Sequence, residues 1–114
     1  MANITLEDCN DYVIVKLQGD FVGSEETDKL RETFRSLAEQ QKSRIIIDLK
    51  EVVYLASVSL GVLLSGNAMI YKIKGKVVLC NPSDYLKNIF SITKLTLIFK
   101  IFDNLNDAIE EVLK

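Results

Sequence analysis

Histidine is absent from the 114 residues. Its absence removes the commonest general base and metal ligand near neutral pH, and with it Ser-His-Asp and Cys-His catalysis. The two cysteines, Cys9 and Cys80, have no metal-ligand spacing and read as reduced thiols of a cytoplasmic protein. No basic stripe accompanies the net charge of −2, which argues against nucleic acid as a partner; Lys72, Lys74 and Lys76, the densest cluster, read as a solvated helix end and turn. The apolar stretches fall far short of the roughly 20 residues that a membrane span needs, and the N-terminus lacks the basic-then-apolar pattern of a signal peptide. Gly61, Gly66 and Gly75 do not form a Walker phosphate loop. There is one proline, Pro82, at an expected strand-to-helix junction, and there is no linker, repeat or low-complexity run.

What is present suits a globular protein: 48% of residues are hydrophobic and 26% charged. The expectation is a single domain over residues 1–114, which buries roughly two-thirds of its unfolded surface. Ile4 and Leu6, then Tyr12 to Leu17, read as two strands joined by turn residues 8–11, hence an antiparallel hairpin, with Gly19 ending the second strand. Ser24 reads as the cap of a helix carrying Leu30, Phe34, Leu37 and Ala38 and ending near Gln40. Ile45-Ile46-Ile47, ending at Asp48, has the unbroken apolar run of a central parallel strand, as does Val77 to Cys80. Leu97 to Phe99 with Ile101 and Phe102 suggests a last strand. Helices are expected from Ser57 to Ile73, stopped by Gly75; from the cap Ser83 through Leu86, Ile89 and Phe90; and from Asn104 through Leu105, Ala108, Ile109 and Val112. The order β-β-α-β-α-β-α-β-α implies a mixed, mostly parallel α/β sheet with helices packed on it.

In open α/β sheets, ligands and partners meet the loops at the carboxyl ends of strands. That singles out the helix start near Ser57. Free N–H groups and the positive end of the helix dipole suit an anion there, although Ser57 serves equally well as a simple cap. The helix that follows has few polar positions, and its two interior glycines, Gly61 and Gly66, each cost about 1 kcal/mol relative to alanine. Either close packing or an exposed small-residue docking face offsets that cost. Asp20, Asp48 and Asp103, with the serines, are the polar candidates at strand ends; no base is paired with a nucleophile, so no enzyme, metal or cofactor is expected.

The ordered set Gly19-Asp20, Ile45 to Leu49, Val53-Tyr54-Leu55, Leu60 to Leu64, Gly75 to Leu79, Ile101-Phe102-Asp103 and Asp107-Ala108 resembles a STAS domain of the anti-sigma-factor-antagonist family across nearly the whole chain. The resemblance implies partner switching. The unphosphorylated domain binds an anti-sigma factor with kinase activity, and phosphorylation of a residue at the helix start separates the two. Two negative charges in an apolar docking surface act through repulsion and desolvation. The resemblance places the partner-binding surface on Ser57, Val58, Ser59, Leu60, Gly61 and Leu64.

The family's turn usually reads Asp-Ser-Ser/Thr-Gly-Leu-Gly, and here it reads Ala56-Ser57-Val58-Ser59-Leu60-Gly61. Val58 stands in the acceptor's place without a hydroxyl; Ala56 and Val22 stand where acids are usual. Ser57 and Ser59 flank the old acceptor and are the remaining candidates for phosphorylation. The resemblance therefore predicts a docking surface without the standard serine switch, an anti-sigma factor or related regulator as partner, and an apolar helix face that permits a homodimer. The competing reading is a STAS-like small-ligand or transport-assembly subunit that binds nucleotide or lipid.

Overall fold

The computed structural model describes residues 2–114. Strands β1 (Asn3–Asp8) and β2 (Val13–Phe21) form the expected antiparallel hairpin. Then come α1 (Ser24–Glu39), β3 (Arg44–Leu55), α2 (Ser57–Lys72), β4 (Lys76–Cys80), α3 (Asp84–Ile92), a 3-10 turn (Leu95–Leu97), β5 (Ile101–Phe102) and α4 (Leu105–Val112). The five strands lie side by side in the order β1-β2-β3-β4-β5, and every pair after the first is parallel.

The alternation of side chains along the strands divides the core in two. Val13, Val15 and Leu17 of β2 and Ile45, Ile47 and Leu49 of β3 face α1, α2 and α3 in the larger cluster. Ile14, Ile46 and Val78 face the opposite way, against Ala108 and Val112 of α4. The unbroken isoleucine run is thus covered on both sides, as its composition predicts.

Five local expectations are corrected. Gly19 does not end β2; it adopts φ 89° between two register shifts, and the strand runs on to Phe21. A glycine tolerates that backbone at a bulge, so the ladder bends instead of stopping. Ser24 is not the cap of α1: Gly23 is, and the Glu26 carboxylate reaches back to accept from its N–H at 2.7 Å. Asp48 does not end β3. Pairing with β4 stops at Asp48↔Cys80, but pairing with β2 carries the strand on to Leu55. Gly75 does not supply the left-handed stop of α2. Lys74 does, at φ 63°, while the N–H groups of Lys74 and Gly75 close the helix end on the carbonyls of Tyr71 and Ile70. Gly75 is small for another reason: a Cβ there would lie 2.3 Å from the Ser43 carbonyl oxygen.

The fifth correction concerns residues 97–99, which form no strand. Lys94 turns left-handed at φ 62° and the 3-10 turn follows, so Leu97 is 82% exposed while Phe99 turns inward. A short apolar run reads alike as strand or turn by pattern alone. Ser83, by contrast, caps α3 as expected, accepting from the Leu86 N–H, and Asn104, the expected start of α4, caps it by accepting from the Asp107 N–H. Among the described residues, no helix is long and apolar enough to cross a membrane.

Two contacts make testable claims about this architecture. The ring of Phe34 on α1 lies so close to Gly66 on α2 that a Cβ there would sit 2.3 Å from it. Gly66→Ala is therefore expected to cost about 1–3 kcal/mol in denaturant unfolding, because the ring must move; an unchanged midpoint would contradict this packing. On α4, the Glu111 carboxylate lies 2.8 Å from the Lys100 ammonium, 3.4 Å from that of Lys114 and 3.6 Å from that of Lys76. The hydrogen bond from Lys100 is the main cause that holds its carboxyl down at about 2, against an ordinary 4.5. A depressed carboxyl stabilises the fold above the ordinary value, and that contribution is lost as the pH falls towards 2. Glu111→Gln should accordingly melt below the native chain at pH 7, with the gap closing between pH 4.5 and about 2.

Candidate functional site

The parallel pairing of β2 with β3 ends at Phe21↔Leu55, one residue before the cap of α2. Ala56 takes extended backbone, φ −74° and ψ 161°, and its N–H donates to the Phe21 carbonyl at 3.0 Å. The turn is thus tied by backbone, and Ser57 is not needed as a side-chain cap. It is the first helical residue and is exposed.

Ser59 points the other way. It is fully buried, and its hydroxyl donates to the same Phe21 carbonyl at 2.7 Å. Its Oγ lies 3.3 Å from Oγ1 of Thr27, whose own hydroxyl donates to the Gly23 carbonyl at 2.7 Å. Each hydroxyl has one proton, and the two shorter bonds use both. Thr27 and Ser59 therefore touch as neighbours while each anchors to backbone. Together they bind the end of β2, the start of α1 and the start of α2 into one unit.

The rest of α2 sorts by helical spacing. Leu60 is only 8% exposed and joins the core with Leu63 and Ile70. On the outer face stand Val58, 52% exposed, then Gly61, Leu64 at 36% and Ser65, with Tyr71 at 76% two turns further. A Cβ built on Gly61 would meet nothing within 4 Å, whereas Gly66 is filled by Phe34. The two glycines thus have different reasons: one is a packing necessity, the other lies open to solvent. No charged residue occurs from Ser57 to Tyr71.

Of the expected surface residues, Ser57, Val58, Gly61 and Leu64 share the outer face, and Ser59 and Leu60 are turned into the protein. Val22, also exposed, follows directly on Phe21 at the same end of the sheet. Sequence reading missed Thr27 and the stacked rings of Tyr54 and Tyr85, whose centroids are 5.9 Å apart. Thr27 was findable: it lies three and seven residues before Leu30 and Phe34, on the buried face of α1.

The carboxylates at the strand ends do not converge. Asp48 accepts from the Lys50 N–H and the Asn81 amide, both at 3.1 Å. Asp103 pairs with Lys87 at 2.9 Å. The Cys80 thiol is pushed up to about 12, first by burial and then by the charge of Asp48, which leaves it protonated at neutral pH. Among the described residues, no group of acidic or cysteine side chains is placed to hold a metal ion.

The geometry defines a mixed-sheet α/β module with an uncharged, outward-facing helix start, and comparison with known proteins gives its family. The sequence pattern of the STAS domain matches residues 3–108, so the chain belongs to the STAS domain family. A relative in Thermotoga neapolitana, named "Putative anti-sigma factor antagonist TM1081 homolog", is 33% identical over 70 residues, which are 61% of this chain and 62% of that protein. The crystal structure of a Thermotoga maritima protein described in the same terms superimposes with a TM-score of 0.89 at 25% identity, over 97% of this chain and 95% of that one. The Bacillus cell fate determinant SpoIIAA in its phosphorylated form shares the fold at 20% identity, with a TM-score of 0.76 over 96% and 99% of the two chains.

The opposite placement of the two serines can be read from stability. A carboxylate at position 59 would be buried against the Phe21 carbonyl, so Ser59→Asp is expected to cost at least about 3 kcal/mol. Ser57→Asp puts an exposed charge in the first turn of a helix and should stay within about 0.5 kcal/mol of the native chain. Equal effects of the two substitutions in urea unfolding would contradict the assigned orientations.

Proposed function

We propose that this chain is a regulatory protein-binding module that docks an anti-sigma factor or a related regulator on the outer face of α2, through Ser57, Val58, Gly61 and Leu64, without the standard serine switch. The observation that carries this reading is the uncharged stretch from Ser57 to Tyr71, with Val58 and Leu64 held in solvent and Gly61 open between them. Exposed apolar side chains around a small residue give a shallow, desolvatable patch of the sort that protein partners cover. The names of the relatives supply the class of partner.

Val58 replaces the family's usual acceptor, and the Ser59 hydroxyl is occupied on the Phe21 carbonyl inside the protein. Ser57 alone keeps an exposed hydroxyl at the turn. A partner that meets this face thus meets no charge that a kinase could add at the usual place. Leu60, expected on the surface from sequence, supports the patch from beneath.

Val58→Arg and Leu64→Arg should each weaken binding of the anti-sigma factor recovered from the source cell by about 2 kcal/mol or more, roughly thirtyfold, by calorimetry. Both should leave the melting temperature unchanged, since both side chains are exposed. Ile92→Arg, at an exposed position on α3, serves as the control that keeps native affinity. Native affinity in both α2 variants would remove the interface from this face.

A further inference from the structure

Parallel strands need crossovers, so α1, α2 and α3 each run back along the sheet and end beside the amino ends of the parallel strands. The end of α4 lies there too, because the Lys76 ammonium at the start of β4 donates to the Glu111 carbonyl at 3.2 Å.

At this end, the half of the molecule formed by α2, α3 and α4 collects lysine. Lys72 is the last residue of α2, and Lys76 opens β4. Lys74 and Lys94 take the left-handed positions just past α2 and α3, at φ 63° and 62°, where glycine is usual. Lys72, Lys74 and Lys94 enter no ion pair among the described residues. Lys76, Lys100 and Lys114 share the single carboxylate of Glu111, which cannot neutralise all three. Glu110 is the other acid near the end of α4. Asp8, Asp11 and Glu39 stand at the same end but beside β1, β2 and α1, and Lys42 engages Asp8 at 3.0 Å. A lysine at a helix C-terminus complements the dipole, which accounts for several of these residues one by one. It does not account for the aliphatic side chains among them. Ile92, Leu97 and Ile98, on either side of Lys94, are each more than half exposed. From Tyr85 to Phe102 the chain carries no acid, so this stretch offers an anionic surface nothing to repel it.

We propose that this end of the molecule is a peripheral membrane-binding surface that takes the face of a bilayer rich in anionic phospholipid. Ile92, Leu97 and Ile98 enter the boundary between headgroups and acyl chains, and Lys72, Lys74 and Lys94 meet the lipid phosphates. Residue chemistry selects a bilayer over other anionic partners. Lysine is depleted where proteins meet proteins, and here it is the dominant polar residue. Ile92, Leu97 and Ile98 offer no ring on which bases could stack, as single-stranded nucleic acid requires, and duplex DNA gives protruding aliphatic side chains no apolar layer to enter. The surface shares no residue with the docking face at the start of α2 and lies towards the other end of that helix. It therefore stands whether or not that face binds a regulator, and a chain held this way keeps the docking face turned from the bilayer.

The test is co-sedimentation of the chain with vesicles of phosphatidylcholine and phosphatidylglycerol, set against vesicles of phosphatidylcholine alone. The chain should pellet saturably with the anionic vesicles, stay in solution with the neutral ones, and come off as salt is raised. Lys72→Gln combined with Lys94→Gln should weaken partition about tenfold or more, and so should Leu97→Ser combined with Ile98→Ser. All four side chains are exposed, so the melting temperature should hold. Lys29→Gln combined with Lys50→Gln removes the same charge away from this end and should keep near-native partition. The proposal is overturned by absent pelleting, by equal pelleting with neutral vesicles, or by native partition in the Leu97 and Ile98 variant. Release by millimolar glycerol 3-phosphate would overturn it by making a free anion the ligand. Tighter binding to duplex DNA or to a glutamate-rich peptide than to the anionic vesicles would overturn it as well.

Discussion

The carbonyl oxygen of Phe21 accepts from two directions, the Ala56 N–H at 3.0 Å and the Ser59 hydroxyl at 2.7 Å. A carbonyl has two lone pairs, and both are used here to hold the first turn of α2 against the last residue of β2. Thr27 extends the tie to α1 through the Gly23 carbonyl. This junction sets which side of α2 faces water. With Ser59 fixed inward, the 3.6-residue period of the helix puts Leu60, Leu63, Gly66 and Ile70 under the sheet-facing side, and it leaves Val58, Gly61 and Leu64 outside. Rotation of the helix by one residue would bury Val58 and break the bond from the Ser59 hydroxyl to the Phe21 carbonyl.

On the proposed reading, that junction also explains how a docking surface can do without the family's usual switch. In the family resemblance, a hydroxyl at position 58 and nearby acids handle a phosphate. Here the outer positions are apolar, and the serine at position 59, where a glycine is usual, has become part of the scaffold. The chemistry has moved inward: hydrogen-bonding capacity serves to orient the helix, and the exposed face is left to apolar contact. Burial of apolar area contributes about 25 cal/mol per Å², so even a small patch matters when no charge must be desolvated with it.

Much of this was legible in the chain. The isoleucine run of β3, the cap Ser83, the start of α4 near Asn104 and the periodic faces of α1 and α4 declare themselves in the sequence, because burial imposes the period directly. The family could be read from ordered short motifs. The limit of β3 could not, because Lys50 and Glu51 lie where β4 has already ended and the strand faces solvent. Residues 97–99 misled because a left-handed turn at Lys94 leaves no mark in an apolar run. The proposed site could be picked out as a segment but not in its orientation. Ser57 and Ser59 look alike in sequence, and only the third dimension supplies the Phe21 carbonyl that draws one of them inside.

The claim on which the account turns is that the α2 face binds without being switched at its usual place. The most direct test is to mix the chain with the anti-sigma kinase proposed as its partner, magnesium and ATP, and to follow the complex by native mass spectrometry. The account predicts a persistent complex in which the chain keeps its unmodified mass. Dissociation accompanied by the mass of one added phosphate, mapped to Ser57 or Ser59, would contradict it.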